Sequence, residues 1–329
     1  MKLRDIHEPS DFFEYVRLES SVPERRDDRI DVALLDMNHS WPNVGHDSLV
    51  HAVVEAAEDV REDLEAAGVK VRVLSFDVRR RLLLPEAPNG RFRLYIGTGG
   101  PGHLDPRLND GLSEVSQGIR EESTWETPLF RLFEAIVAHP EASLVAVCHS
   151  FGLVCRWSGV ARAELRAEKS SGMPLNVLTD EAAAHPFFSE LASQLADHRH
   201  FRVVDNRLFD LTAENLAGTT PIALEHEGSR ALTMVEWARH ADGTPRVYGV
   251  NHHPEIVDRE HILNVLEEKR LHGEVSDQWY RERAETMSEL FTGERERQSQ
   301  LTSRYTLLEP LRRHIARLVA ERCYSNAER

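Results

Sequence analysis

The sequence lacks the means to build a disulfide framework. Its 329 residues include only three cysteines, Cys148, Cys155 and Cys323, an odd and sparse set. That usage fits a reducing compartment, where a thiol stays free. Long hydrophobic runs are also missing, and no stretch is apolar enough to span a bilayer. The opening MKLRDIHEPSDFFEYVRLES is charged throughout and has no apolar signal core. The expectation is a soluble, cytoplasmic protein with no membrane partner. Basic residues are the minority, 40 Lys and Arg against 55 Asp and Glu, for a formal net charge of -15. Such a surface repels phosphate backbones, so no nucleic acid partner is expected. The chain has no G-x-x-x-x-G-K-[ST] phosphate loop, no internal repeat and no low-complexity tract. Cys148, His149, His252 and His253 lack a close ligand pair such as C-x-x-C or H-x-x-x-H, so no metal is expected.

What is present suffices for a sizeable core, with 41% hydrophobic residues. Met1 to Arg29 reads as a polar N-terminal arm with a short helix around Asp11 to Leu18. IDVALLDM (Ile30 to Met37) reads as a buried strand. Ser48 to Ala67 reads as an amphipathic helix closed by Gly68. VKVRVLSF, RFRLYIGTGG and ASLVAVC read as further strands, and Thr127 to Ala138 as a helix with Pro128 in its first turn. A helix is expected from about Phe151. Strand and helix alternating over short joins predict a three-layer α/β domain with a mainly parallel central sheet. FRVVDN, PIALEHE, ALTMVEWA and RVYGVN read as later strands, some in antiparallel hairpins. From Asp258 the chain turns helical. Leu307, Leu308, Leu311, Ile315 and Leu318 recur there at helical spacing, suited to covering the main domain or pairing with another subunit.

Open α/β sheets bind ligands at the carboxyl ends of their strands, and three loops there carry chemistry. IGTGGPGHLDP matches G-x-G-x-x-G, but Pro101 and HLDP are a poor start for the helix a dinucleotide site needs. It reads either as a glycine turn or as a loop whose Gly99 and Gly100 N–H groups meet a developing oxyanion. In VAVCHSFG, Cys148 lies where a strand gives way to a helix, flanked by the small residues Ala146 and Ser150. It reads either as the end of a buried strand or as a nucleophile on an elbow, where a helix N-terminus favours the thiolate. In YGVNHHPEI, His253 and Glu255 are two apart across Pro254 and face the same way in an extended chain. They read either as a satisfied histidine in a polar turn or as an imidazole oriented by a carboxylate.

Taken together, GGPG at Gly99 to Gly102, AVCHS at Ala146 to Ser150 and GVNHHPE at Gly249 to Glu255 resemble the class I glutamine amidotransferase family in order and spacing. The resemblance covers roughly Ile30 to Ile256 and implies a flavodoxin-like glutamine amidotransferase fold. It makes Cys148 the nucleophile, His253 the general base and Glu255 its orienter. Gly100 and the N–H of His149 form the oxyanion hole, with Gly99 in the same loop. Ser150, Phe151, Gly152 and His252 would face the substrate. The chain departs from the family at several points. Ala146 and Ser150 replace both elbow glycines, Gly152 the usual glutamine after the elbow, Phe151 a common histidine, and Asn251 and His252 the usual Gln-Phe.

The implied activity is cysteine-dependent hydrolysis of the amide of glutamine or a γ-glutamyl compound through a thioester, with no cofactor. Its implied partner is a separate ammonia-accepting synthetase subunit, or a second copy through the C-terminal helices. Two alternatives stand beside it. Homoserine acyltransferases carry the same triad and an H-P-E followed by helices, and the altered elbow also suits a scaffold that binds without catalysis. The expected organisation is an arm over 1–29, the α/β domain over 30–257 and a helical extension over 258–329.

Overall fold

The computed structural model describes residues 5–41 and 43–327. In chain order the strands are β1 (Phe13–Arg17), β2 (Arg29–Asp36), β3 (Lys70–Asp77), β4 (Phe92–Gly97), β5 (Ser143–Val147), β6 (Ala161–Gly172), β7 (Leu175–Leu178), β8 (His200–Arg202), β9 (Asp205–Ala213), β10 (Thr220–Leu224), β11 (Leu232–Arg239) and β12 (Pro245–Val250). The helices are α1 (Val44–Glu58), α2 (Arg61–Ala67), α3 (Glu126–Ala138), α4 (His149–Ser158), α5 (Asp180–Ala183), α6 (Phe188–Gln194), α7 (Arg259–Leu271), α8 (Asp277–Leu290), α9 (Glu294–Ser303) and α10 (Glu309–Ala327).

Ten strands form one sheet in the order β1-β3-β2-β4-β5-β12-β11-β10-β7-β8. From β1 to β12 the neighbours run parallel, and beyond β12 they run antiparallel. The sequence of β2 shows why the parallel half is buried on both sides. Successive side chains alternate faces. Val32 and Leu34 join Leu49 and Val53 of α1 and Leu311 and Ile315 of α10. Ala33 and Leu35 join Leu129 and Phe133 of α3 and Leu153 of α4. An uninterrupted apolar run is what a strand between two helical layers requires. The expected three-layer α/β architecture with a mainly parallel central sheet is what the chain adopts.

Several local expectations are corrected. The helix expected around Asp11 to Leu18 is instead β1, which pairs in parallel with β3 and sets Tyr15 opposite Val73. Phe12 and Phe13 are buried in the core, and five extended residues satisfy their backbone on β3 where a single helical turn would not. The helix expected over Ser48 to Ala67 starts earlier, at Val44, because Asn43 Oδ1 accepts from the N–H groups of Gly45 at 2.6 Å and His46 at 3.3 Å. That side-chain cap satisfies donors with no intrahelical partner. The same stretch breaks near Val60 into α1 and α2, and α2 ends at Gly68, whose φ of 65° is left-handed. FRVVDN is two strands, β8 and β9, parted at Val203 and Val204. β6 pairs with β9 as a separate two-stranded ribbon, which sequence reading missed.

The C-terminal helices cover the main domain. Leu307, Leu311 and Ile315 are fully buried in the core of α1 and the sheet, with Leu308 and Leu318 packed against it. Among the described residues no helix is long and apolar enough to cross a membrane. One contact fixes the start of β12, the strand that leads into HHPE. The buried Arg246 donates to four carbonyls around the end of α3: Ile136 at 3.0 Å, Val137 at 2.9 Å, His139 at 2.6 Å and Ala142 at 2.8 Å. These carbonyls have no further turn of helix to bond to.

Candidate active site

β4, β5 and β12 are adjacent, so the three loops that follow them converge. Cys148 stands between β5 and α4 with φ 49° and ψ -103°. That left-handed backbone is costly for a non-glycine residue and is characteristic of functional turns. The elbow is clamped on both sides. Cys148 N–H donates to Val250 O at 2.8 Å, and Ser150 Oγ donates to Thr98 O at 2.7 Å. Ala146 is registered between Gly97 of β4 and Gly249 of β12. A Cβ on Gly97 would fall 2.5 Å from Ser150 Cβ, and one on Gly249 would fall 2.8 Å from Ala146 O. The bulk that Ala146 and Ser150 add to the elbow is therefore accommodated by glycines on the two flanking strands.

His253 Nδ1 and Glu255 Oε1 are 2.8 Å apart. The backbone sets the ring's place, since His253 N–H donates to Val204 O at 2.8 Å. Glu255 is buried, and its carboxylate lies against the first turn of α1, where a Cβ on Gly45 would approach Oε1 to 2.6 Å. Burial pushes the His253 imidazole toward its neutral form. The negative charge of Cys148, then that of Glu255, and hydrogen bonds to both outweigh burial and hold its pKa well above the usual value. A Cβ on Gly99 would lie 3.0 Å from His253 Cε1 and 3.5 Å from Cys148 Cβ, so the glycine loop closes over the pair. Gly100 packs on Met37, leaving no room for a side chain there either. His149 opens α4, and first-turn N–H groups have no intrahelical acceptor. Its buried imidazole is held neutral by desolvation, then by Arg79 and His103, against a backbone hydrogen bond with Gly100.

Cys148, His149, Gly100 and Gly152 line one cleft of about 50 Å³. Three of the expected substrate-facing residues do not. Ser150 is spent on Thr98 O. Phe151 is fully buried against Gly249 and stands edge-on to Trp237 with ring centres 6.0 Å apart. His252 is fully buried beside Phe201, and burial pushes its pKa down to about 3. Neither of its ring nitrogens has a hydrogen-bond partner, in contrast to His253 with Glu255, which removes it as a rival base. The opposite wall comes from residues that sequence reading missed: Asn206, Arg207, Leu208 and Phe209 of β9, together with Gln117 and Asn251. Asn251 was legible from its place in GVNHHPE. Asn206, Arg207, Leu208 and Phe209 sit on a ribbon with no apolar periodicity, and Gln117 follows a short turn far from it in sequence. Among the described residues, metal-ligand atoms gather at Asp5, His7 and His272, none of which lines the cleft.

A thiol on a strained elbow, beside an imidazole that is paired with a buried carboxylate, is equipped for nucleophilic attack on a carbonyl. The sequence matches no protein-family model and no curated protein. Among solved structures, a glutamine amidotransferase from Thermotoga maritima is similar with a TM-score of 0.50 at 14% identity, over 88% of this chain and 98% of that one. A glutamine amidotransferase from Methylobacillus flagellatus gives a TM-score of 0.44 at 13% identity, over 89% of this chain and 95% of that one. The first likeness establishes a class I glutamine amidotransferase-like fold of flavodoxin type. At such identities the likeness concerns the fold alone.

Proposed function

We propose that the protein is a cysteine-dependent amidohydrolase of the glutamine amidotransferase type, acting on glutamine or a γ-glutamyl compound. One observation carries this reading: Cys148 on its left-handed elbow and His253 meet under Gly99, whose Cβ would lie 3.5 Å from Cys148 Cβ and 3.0 Å from His253 Cε1, and His253 Nδ1 lies 2.8 Å from Glu255 Oε1. The Cys148 thiolate attacks the side-chain amide carbon. The N–H groups of Gly100 and His149, in the loop that Gly99 closes, receive the oxyanion. His253 gives its proton to the leaving ammonia, and a thioester to Cys148 remains. His253 then takes a proton from water, the hydroxide adds to the thioester, and the carbon–sulfur bond breaks to release the acid. Glu255 fixes the imidazole orientation throughout. These steps use side chains and backbone N–H groups of the chain, with water as the second reactant.

The ammonia acceptor in this reading is a separate synthetase subunit. The apolar stripe of Leu307, Leu311 and Ile315 is buried within this chain, which supports a separate acceptor over self-association through the tail.

The test is intact-protein mass spectrometry after exposure to a glutamine-mimicking diazoketone, with Cys148→Ser as control. An adduct on Cys148 that excess glutamine blocks is the expected result. No adduct but fast iodoacetamide alkylation, with turnover of an acyl-CoA, would replace the amidohydrolase with an acyltransferase. Slow alkylation at the rate of an ordinary thiol would leave a scaffold without catalysis.

A further inference from the structure

Arg207 lies on β9 with 4% of its surface exposed, yet it lines the cleft beside Cys148. Acids hold its guanidinium on two edges. Nη2 donates to Glu225 Oε1 at 2.9 Å, and Nε lies 3.5 Å from Asp205 Oδ2 and 3.5 Å from Asp210 Oδ1. Arg166 shares Asp210 and Glu225, so the acids are not the property of Arg207 alone. Neither Nε, which the acids approach without a hydrogen bond, nor Nη1 has a hydrogen-bond partner. A buried charged donor left unpaired is strongly unfavourable and calls for an acceptor.

Asn251 is in the same condition. It is 5% exposed, it lines the same cleft, and its Nδ2 has no partner. Its backbone N–H donates to Thr233 O at 2.8 Å, which pins its place two residues before His253. No Asp or Glu is among the residues lining the cleft. Inside the cleft the wall thus offers one guanidinium N–H and one amide N–H, and no acid. Two such donors suit a carboxylate, one oxygen to each.

We infer that Arg207 Nη1 and Asn251 Nδ2 hold a carboxylate of the substrate. The site then selects an amide whose far end is a free carboxylic acid, as glutamine is, and rejects acyl donors and amides that lack one there. Arg207 is a specificity residue that touches substrate away from the reacting carbon. The inference rests on the amidohydrolase reading for which bond is cut, but the carboxylate site itself does not depend on turnover.

The experiment uses the full chain carrying Cys148→Ser, which binds without turning over, and titrates L-glutamine and glutamine α-amide by calorimetry. The α-amide keeps the scissile group and loses the carboxylate charge. The expected result is binding of the α-amide weaker by roughly 10- to 100-fold, the worth of a charge-assisted pair. Adding Arg207→Met removes that difference, chiefly by weakening glutamine. Equal binding of the two ligands, or binding of neither, overturns the carboxylate site. Because the ligand comparison is made on an intact wall, it decides even if Arg207→Met does not fold. Ammonia release by the unaltered enzyme is measured alongside. Discrimination without ammonia release keeps the carboxylate site and overturns the amidohydrolase reading. Ammonia release without discrimination does the reverse.

Discussion

Gly45→Ala places one methyl group against the triad from a distant helix. The new Cβ would lie 2.6 Å from Glu255 Oε1, where ordinary contact begins at 3.4 Å. The carboxylate must retreat or turn by about 0.8 Å. Its 2.8 Å bond to His253 Nδ1 then lengthens past the limit of about 3.2 Å for a good hydrogen bond. Losing a hydrogen bond to a charged group costs about 1.5–3 kcal/mol, or roughly 10- to 150-fold in rate. Gly45 is in the first turn of α1, where the new Cβ also lies 3.0 Å from the capping Asn43 Oδ1. Loss of that cap costs at most about 1–2 kcal/mol, so the fold is kept while the imidazole loses its orienter. The assay is iodoacetamide alkylation of Cys148, followed by mass spectrometry from pH 5 to 9, beside a thermal melt. The expected outcome is a slower reaction in the pH range where His253 carries its proton, with the melting temperature lowered by only a few degrees. Pairing Gly45→Ala with the shorter Glu255→Asp should restore part of the rate. An unchanged pH–rate profile in folded Gly45→Ala protein would mean that Glu255 does not orient His253.

Other expectations follow from the same contacts. Arg246→Met removes a charged donor from four carbonyls around the end of α3, of which those of Ile136 and His139 keep a backbone N–H; it should cost about 2–4 kcal/mol and lower the melting temperature by roughly 10 °C. Buried histidines should make the fold acid-sensitive, since burial lowers His252 and His314 to about 3 and His261 to about 4 from 6.5. The unfolded chain binds more protons below 6.5, so the stability present above that value drains away as pH falls. At pH 5 each group gives up about 2 kcal/mol, which urea midpoints at pH 7 and 5 should show, and His314→Gln should flatten the loss. His253 has the opposite sign, with a raised folded pKa: its contribution is complete below 6.5 and is lost as pH rises through the folded value. Cys148→Ser removes the largest influence raising it, so the imidazole should titrate at lower pH by NMR, and an unmoved titration would show that the thiol and ring do not interact.

Much of this was legible in the sequence because the responsible patterns are local. The strands of the parallel half are apolar runs such as IDVALL, and both faces of that run are buried. Cys148, His253 and Glu255 stood out because strand-end loops of fixed spacing place them. The residues that looked substrate-facing by position, Ser150, Phe151 and His252, were misjudged because position along a loop does not say which way a side chain points. The β6–β9 ribbon was invisible for a different reason. A two-stranded ribbon buries no continuous face, and ARAELRAEKSSG is largely exposed, so it carries no alternation to detect. Arg207 was lost with it. A charged residue buried by ion pairs leaves no hydrophobic signature in the chain.

The first strand has a bearing on solubility. β3 pairs with β1 on one side and β2 on the other. Without residues 13–17, the run KVRVLSFD would become the outermost strand of the sheet, with its backbone donors and acceptors open to solvent. An unpaired strand of that length, rich in β-branched and aromatic residues, is a template for pairing with a second molecule. The short segment FEYVR thus replaces an edge of 8 residues with one of 5, and shortening the chain past Arg17 would expose the longer edge as a site of aggregation.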